Sequence, residues 1–167
     1  MSAPPRLAVA GIAAFLIAGP VVGQRPDDQI NPASQTLLRQ GLAHYSAGRF
    51  SDADDALETA LAVDPRNRAA FVALARVAQK QKLFGQAIRF TNKALALEPT
   101  DRSAMSVQGQ AMVELGAVAR AKEVLAKLQT LCAGPCPEAG TLSAAIANGP
   151  TLAAAKPVVT VPKTKTN

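Results

Sequence analysis

Hydrophobic residues recur through the middle of the chain at the spacing of a helix. In residues 50–61 the apolar side chains lie three, four and seven positions apart, which places them on one helical face. These positions are Phe50, Ala53, Leu57, Ala60 and Leu61. Similar short stretches follow one another between turn-forming residues, so the pattern predicts a series of short amphipathic helices.

The same pattern returns at an interval of 34 residues. The stretch "ALALEPTDRSAM" (residues 94–105) nearly repeats "ALAVDPRNRAAF" (residues 60–71). Three units, 34–67, 68–101 and 102–135, agree in their large and small apolar positions. The large column is Leu37, Phe71 and Met105, and the small columns are Gly41, Ala75 and Gly109, and Ala53, Ala87 and Ala121. Such a period predicts a solenoid of helix pairs, whose small residues let the two helices of a unit approach closely.

The predicted helix boundaries carry suitable residues. Pro65 and Pro99 close the first two units, because proline cannot continue a helix. The predicted N-caps are Ser51, Asn67 and Asp101, and the predicted left-handed residues after the first helices are Gly48 and Gly116. These local features agree with the period.

The units "GLAHYSAGRFSDADDALETALAVDP" and "ARVAQKQKLFGQAIRFTNKALALEP" resemble the tetratricopeptide repeat, and the resemblance runs from about Ser34 to Cys132. The third unit departs from it at Leu128 and Ala133, as a terminal unit can. The resemblance implies an all-α fold, a right-handed α-α superhelix of about three units plus a C-terminal capping helix.

The segments outside the repeats complete the predicted domain organisation. A capping helix at about residues 137–148 would use Ala139, Leu142 and Ile146 to cover the third unit, so that the repeat domain spans residues 34–149. Residues 24–33 are predicted to be a flexible lead-in. Residues 150–167 contain three prolines and three lysines without periodicity, and are predicted to be a disordered tail.

Residues 1–23 have the layout of a secretory signal peptide. A basic residue, Arg6, precedes the apolar run 7–17, and small residues precede Gln24, where cleavage is predicted. We therefore expect an exported protein, periplasmic or secreted. The alternative is an N-terminal membrane anchor, although the apolar run is shorter than the ~20 residues that a spanning helix needs.

Composition narrows the possible functions. Hydrophobic residues make up 49% of the chain, but aromatic residues only 4%, which suits closely packed helices. The net charge of +6 is spread along the chain and no nucleic-acid-binding motif is present, so we expect no nucleic-acid partner. Membrane contact is expected only if the N-terminal segment is retained.

The sequence contains little catalytic chemistry. His44 is the single histidine, and because it aligns with Ala78 and Met112 it is expected to pack between helices. An acidic group, Asp52, Asp54, Asp55 and Glu58, is interpreted as a solvated helix N-terminus rather than a calcium site. No known catalytic motif appears. We therefore expect no enzymatic activity, no cofactor, no metal and no small-molecule substrate.

Two cysteines, Cys132 and Cys136, lie at a short separation. In an exported protein this spacing favours a structural disulfide across the Gly134-Pro135 turn. The alternative is a reactive dithiol, which would make the chain an accessory thiol-redox protein.

The resemblance also implies a concave groove, lined by the first helix of each unit, that binds an extended peptide or a partner helix. The residues assigned to it are Leu38, Arg39, Leu42, Tyr45, Val72, Arg76, Gln79, Lys80, Val107 and Gln110. The carboxylate clamp of some family members is missing, because its positions are Leu38, Leu42, Ala73, Ser103 and Val107. We expect an exposed apolar stripe of Leu38, Leu42, Tyr45, Val72 and Val107, beside basic residues that favour an acidic partner.

These features predict a non-catalytic protein-interaction module or assembly scaffold. The accessory redox protein and a membrane-tethered assembly factor remain as alternatives.

Overall fold

The computed structural model describes residues 29–150, and this part of the chain forms seven α-helices. Their bounds are α1 Pro32–Ser46, α2 Phe50–Val63, α3 Arg68–Lys80, α4 Phe84–Leu97, α5 Arg102–Glu114, α6 Val118–Thr130 and α7 Pro137–Asn148. Each helix packs on its neighbours in sequence, and α1, α3, α5 and α7 also contact one another in that order. The predicted all-α repeat fold is confirmed. The odd-numbered helices form its inner row.

Most of the predicted helix boundaries are confirmed. The side chains of Asn67 and Asp101 accept hydrogen bonds from the backbone N–H groups of Ala70 and Ala104, which caps α3 and α5. The helices α2 and α4 end directly before the extended residues that precede Pro65 and Pro99. Gly48 and Gly116 have φ values of 74° and 79°, in the left-handed region that glycine adopts without steric cost.

The predicted cap at Ser51 is wrong. The N-cap of α2 is Arg49, whose side chain makes no capping hydrogen bond. The backbone N–H of Arg49 donates to the carbonyl oxygen of His44 at 3.0 Å, and this tight turn starts the helix at Phe50. Ser51 therefore lies exposed in the first turn, where Asp52 also lies, as the sequence predicts.

The small-residue columns allow close helix packing, with one difference from the expectation. A Cβ atom at Gly41 would lie 2.5 Å from Cγ of Leu57 on α2, so the first helix pair does require glycine there. At Gly109 the Cβ would lie 2.6 Å from Leu142 on α7, rather than against α6. Because Gly109 has no side chain, Leu142 of the capping helix can pack directly on α5.

The predicted capping helix is present as α7. Leu142 is fully buried and Ala139 is 7% exposed, and α7 packs on both α5 and α6. Ile146 is partly buried. The apolar edge of the third unit is thus covered.

The ordered structure begins before residue 34, so the predicted lead-in of residues 24–33 is too long. Ile30 is buried, and the side chain of Asn31 accepts a hydrogen bond from the backbone of Ala33 at the start of α1. The backbone N–H of Asn31 also donates to Oδ2 of Asp64 at 3.0 Å. The predicted signal peptide, the rest of the lead-in and residues 151–167 lie outside the described residues.

A buried polar network joins the first two units. The hydroxyl of Ser34 donates to the carbonyl oxygen of Ala60 at 2.7 Å, and Nδ2 of Asn67 donates to the same hydroxyl at 2.8 Å. One side chain thereby connects α1, α2 and the start of α3. Between residues 29 and 150, no helix is both long enough and apolar enough to cross a membrane.

Candidate functional site

All ten residues assigned to the groove line three adjoining cavities along the inner row of helices. The first cavity, of about 280 Å³, includes Leu38 and Arg39. The second, of about 200 Å³, shares Leu38 with the first and adds Leu42, Val72 and Arg76. The third, of about 350 Å³, shares Arg76 and adds Tyr45, Gln79, Lys80, Val107 and Gln110. We call this continuous surface the concave groove.

The predicted apolar stripe is narrower than expected, because Val72 and Val107 are buried. Val72 is 6% exposed and packs with Ala94 and Ala104, while Val107 is 4% exposed and packs in the cluster that contains Phe84. Both residues lie in the interface that α3, α4 and α5 form with one another. The prediction that the chain leaves them uncovered is therefore wrong.

The remaining apolar residues form a smaller exposed surface. Leu42 is 38% exposed, while Leu38 and Tyr45 are partly buried. The ring of Tyr45 lies against that of Phe50, with centroids 5.8 Å apart and planes inclined by 58°. Tyr45 therefore contributes both to the core of the first unit and to the wall of the groove.

Three exposed cations border this apolar surface. Nη2 of Arg39 donates to the hydroxyl of Thr36 at 2.8 Å, and Nη2 of Arg76 donates to the hydroxyl of Ser103 at 2.6 Å. Lys80 lies at the C-terminal end of α3. Within residues 29–150, no carboxylate forms a salt bridge with any of the three. Their charges are therefore available to a bound group.

The two glutamines of the third cavity are held by hydrogen bonds within the domain. Nε2 of Gln79 donates to the carbonyl oxygen of Val107 at 2.9 Å, which joins α3 to α5. Nε2 of Gln110 donates to the backbone oxygen and the hydroxyl of Ser106, both at 3.2 Å. These contacts fix the floor of the third cavity.

Sequence reasoning missed the parts of the groove that come from outside the three repeat units. Ile30 lines the first cavity, and Pro137, Glu138 and Thr141 line the third. They were missed because the groove was assigned only to the first helices of the three complete units. Since α7 follows the third unit, its place in the period could have indicated that it continues the inner row.

The single histidine does not pack between helices as predicted. The side chain of His44 is 32% exposed, and its Nδ1 accepts a hydrogen bond from Nε of Arg49 at 3.1 Å and lies 3.6 Å from Oδ2 of Asp52. The turn after α1 brings these charged groups to His44, so the residue lies at the end of the first helix pair.

The remaining candidates for chemistry are the acidic residues of α2 and the two cysteines. Burial raises the pKa of Asp54, and the nearby negative charges of Glu58 and Asp55 raise it further. Across residues 29–150, no three His, Cys, Asp or Glu side chains are grouped so that they could hold a metal ion. Cys132 and Cys136 are joined by a disulfide between the end of α6 and the start of α7.

Comparisons with known proteins agree with this architecture. The family model for the tetratricopeptide repeat matches residues 44–108. No curated protein matches the chain in sequence.

Solved structures share the fold. The TPR domain of Sgt2 from Aspergillus fumigatus is 21% identical, covers 86% of this chain and 97% of its own, and has a TM-score of 0.65. The TPR protein TTC0263 from Thermus thermophilus is 25% identical, with coverage of 70% and 66% and a TM-score of 0.63. The second TPR domain of human RPAP3, in complex with an HSP70 peptide, is 19% identical, with coverage of 67% and 97% and a TM-score of 0.59.

The family match falls on the aligned units, and the helix pairs have the architecture of those solved domains. The chain carries tetratricopeptide repeats, which the family model matches at residues 44–108.

Proposed function

We propose that the chain is a non-catalytic interaction module that binds a segment of a partner protein, an extended peptide or a helix, in the concave groove. The observation that carries the proposal is the continuity of three cavities along α1, α3 and α5, where exposed apolar and cationic side chains lie side by side. A continuous surface of this kind suits a linear segment better than a compact small molecule.

The chemistry of the groove favours a partner segment with an apolar anchor and acidic neighbours. Leu42 and Leu38 would receive the apolar side chain, because they surround the middle cavity. Arg39, Arg76 and Lys80 would attract carboxylates on either side, which increases the association rate more than the affinity. Glu138, at the edge of the third cavity, would disfavour an acidic residue at that end.

Related domains support peptide binding as the function, while the groove residues argue for a different selectivity. The second TPR domain of human RPAP3 is described in complex with an HSP70 peptide. In the present chain the positions of the carboxylate clamp carry Leu38, Leu42, Ala73, Ser103 and Val107. None of these side chains is charged, so none can form an ion pair with a terminal carboxylate. We therefore propose that an internal acidic segment is recognised, rather than a chain terminus.

Site-specific photo-crosslinking in the native cell tests this function. A photoreactive amino acid at position 42 should yield covalent adducts with a partner protein. The same amino acid at position 93, which is exposed on α4, serves as the matched control and should yield few. Adducts that form at position 93 and not at position 42 would show that the partner uses another surface.

We also propose that the protein acts outside the cytoplasm after cleavage before Gln24. The support is the signal-peptide layout of residues 1–23 and a cysteine pair that suits an oxidising compartment. N-terminal sequencing of the exported protein should begin at or near Gln24. An intact Met1 on that protein would instead favour the membrane-tethered assembly factor.

The disulfide between Cys132 and Cys136 favours a second candidate function, an accessory thiol-redox protein. That function requires a thiol of low pKa and exchange with an external disulfide. A rate of alkylation at pH 6 that exceeds that of a simple thiol would support it. An ordinary rate would leave the cysteines with a structural role.

A further inference from the structure

The capping helix α7 is held by few apolar contacts. It contains 12 residues, of which only Ala139 and Leu142 are buried. A helix of this length is marginal by itself in water, so its order depends on how well it packs on α5 and α6. Its docking is therefore sensitive to a single additional constraint.

The N-terminal part of α7 is also part of the concave groove. Pro137, Glu138 and Thr141 line the third cavity together with Tyr45 and Arg76. The hydroxyl of Ser106 on α5 donates to the carbonyl oxygen of Glu138 at 2.9 Å, and Ser106 is itself only 5% exposed. Movement of α7 would therefore change the shape of the third cavity.

The disulfide lies at the junction that holds this part of α7. Cys136 is the N-cap residue of α7, and Cys132 lies two residues after the end of α6. Both cysteines are partly buried, whereas the residues between them, Ala133, Gly134 and Pro135, are exposed. An external thiol can therefore approach the bond from the side of the turn.

We propose that the Cys132–Cys136 disulfide is a redox-sensitive tether that holds α7 as one wall of the concave groove. The reductant is a dithiol. One of its thiolates attacks Sγ of Cys136, the S–S bond breaks, and Cys132 leaves as a thiolate that takes up a proton. The second thiol of the reductant then displaces Cys136 as a thiol, so two electrons and two protons pass to the protein and the dithiol becomes a disulfide.

The size of the effect follows from the small loop that the disulfide closes. Loop closure over five residues limits the gain in helix docking to about thirtyfold. Because that loop is local, reduction should loosen α7 without unfolding the first two units. The consequence for binding rests on the proposed function of the groove. The effect of the disulfide on the docking of α7 does not depend on that function.

Hydrogen exchange tests the tether on the full-length chain without any partner. Reduction by dithiothreitol should accelerate amide exchange in α7 by about ten- to thirtyfold, while α1–α4 keep their protection. The C132S/C136S variant should exchange at the fast rate with or without dithiothreitol. Equal exchange of α7 in oxidised and reduced protein would overturn the proposal, as would free thiols in denatured, unreduced protein from its native compartment.

A single fluorine label tests the link to the groove. Tyr45 is the only tyrosine of the chain and lines the same cavity as Pro137 and Glu138. Incorporation of 3-fluorotyrosine therefore gives one ¹⁹F resonance, which should shift on reduction in the wild type and not in C132S/C136S. Faster exchange of α7 with an unmoved Tyr45 resonance would overturn the claim that the tether shapes the groove.

Discussion

Leu142 of α7 occupies the space above Gly109 of α5 so closely that both of its terminal methyl carbons would lie 2.6 Å from a Cβ at position 109. Leu142 is also fully buried. The capping helix is thus fitted to a position that lacks a side chain, and the two residues depend on each other.

Gly109→Ala should destabilise the domain by about 1–3 kcal/mol, because the added methyl group has no space beneath Leu142. Urea unfolding monitored by circular dichroism measures this change. Gly85→Ala is the matched control, since Gly85 lies in α4 with nothing within 4 Å of its Cβ position. Because alanine has the better helix propensity, Gly85→Ala should stabilise the domain by about 0.5–1 kcal/mol. A stabilising Gly109→Ala would contradict the packing described for α7.

Lys82 has a φ of 62°, and it occupies the column in which the first and third units place Gly48 and Gly116. A residue with a Cβ is strained in this conformation by about 1 kcal/mol or more. Lys82→Gly should therefore stabilise the domain by about 0.5–1 kcal/mol, as measured by urea unfolding. Gly116→Ala is the opposite control and should destabilise it.

The period of 34 residues was sufficient to predict the paired helices, because proline, glycine and capping residues act within a few positions of themselves. Asn67 and Gly48 are examples, since each satisfies a local backbone requirement. The burial of Val72 and Val107 could not be predicted in this way. It depends on how far α4 and α5 close over α3, which no local pattern specifies.

The groove was predictable where it follows the repeat and was missed where it does not. Leu38 and Arg76 occupy repeat columns, so the family resemblance assigned them to the inner row of helices, where both line the middle cavity. Glu138 and Ile30 come from segments on either side of the repeats. Their contribution depends on the packing of α7 and of the chain before α1, which the repeat columns do not describe.

Asp64 should make the domain sensitive to acid. Its pKa is lowered by the hydrogen bond from the backbone of Asn31 and, less strongly, by those from Arg66, although burial opposes the shift. Because the folded pKa lies below the ordinary value of 3.8, the stabilisation is present above that value and is lost as the pH falls through the folded pKa. Asp64→Asn should therefore lose less stability than the wild type between about pH 4 and pH 2. Parallel pH profiles of urea unfolding for the two proteins would contradict this assignment.

Asp54 should have the opposite effect, because burial and the charges of Glu58 and Asp55 raise its pKa above 3.8. The folded state then favours the protonated carboxyl. The contribution of Asp54 to the free energy of unfolding is therefore greatest below the unfolded pKa, and it is lost as the pH rises through the folded pKa. Asp54→Asn should be more stable than the wild type at pH 7, with a difference that shrinks in acid. Thermal unfolding of the two proteins at pH 7 and at pH 3 measures the stability difference at each pH.

Tyr45 is unsuitable as a pure test of binding, because its ring packs on Phe50 as well as lining the groove. Leu42 and Arg76 are better positions, since both are exposed and border the middle cavity. Their substitution removes the apolar anchor and one cation with little effect on the core.

The most direct measurement is quantitative capture of the partner after crosslinking in the native cell, compared among three forms of the full-length chain. The double variant Leu42→Gln with Arg76→Glu should retain less than about a tenth of the partner captured by the wild type, at unchanged thermal stability. The variant Arg89→Glu with Lys93→Glu changes exposed cations on α4 and should retain nearly all of it. Capture that survives the groove substitutions and is lost with the α4 substitutions would contradict the account.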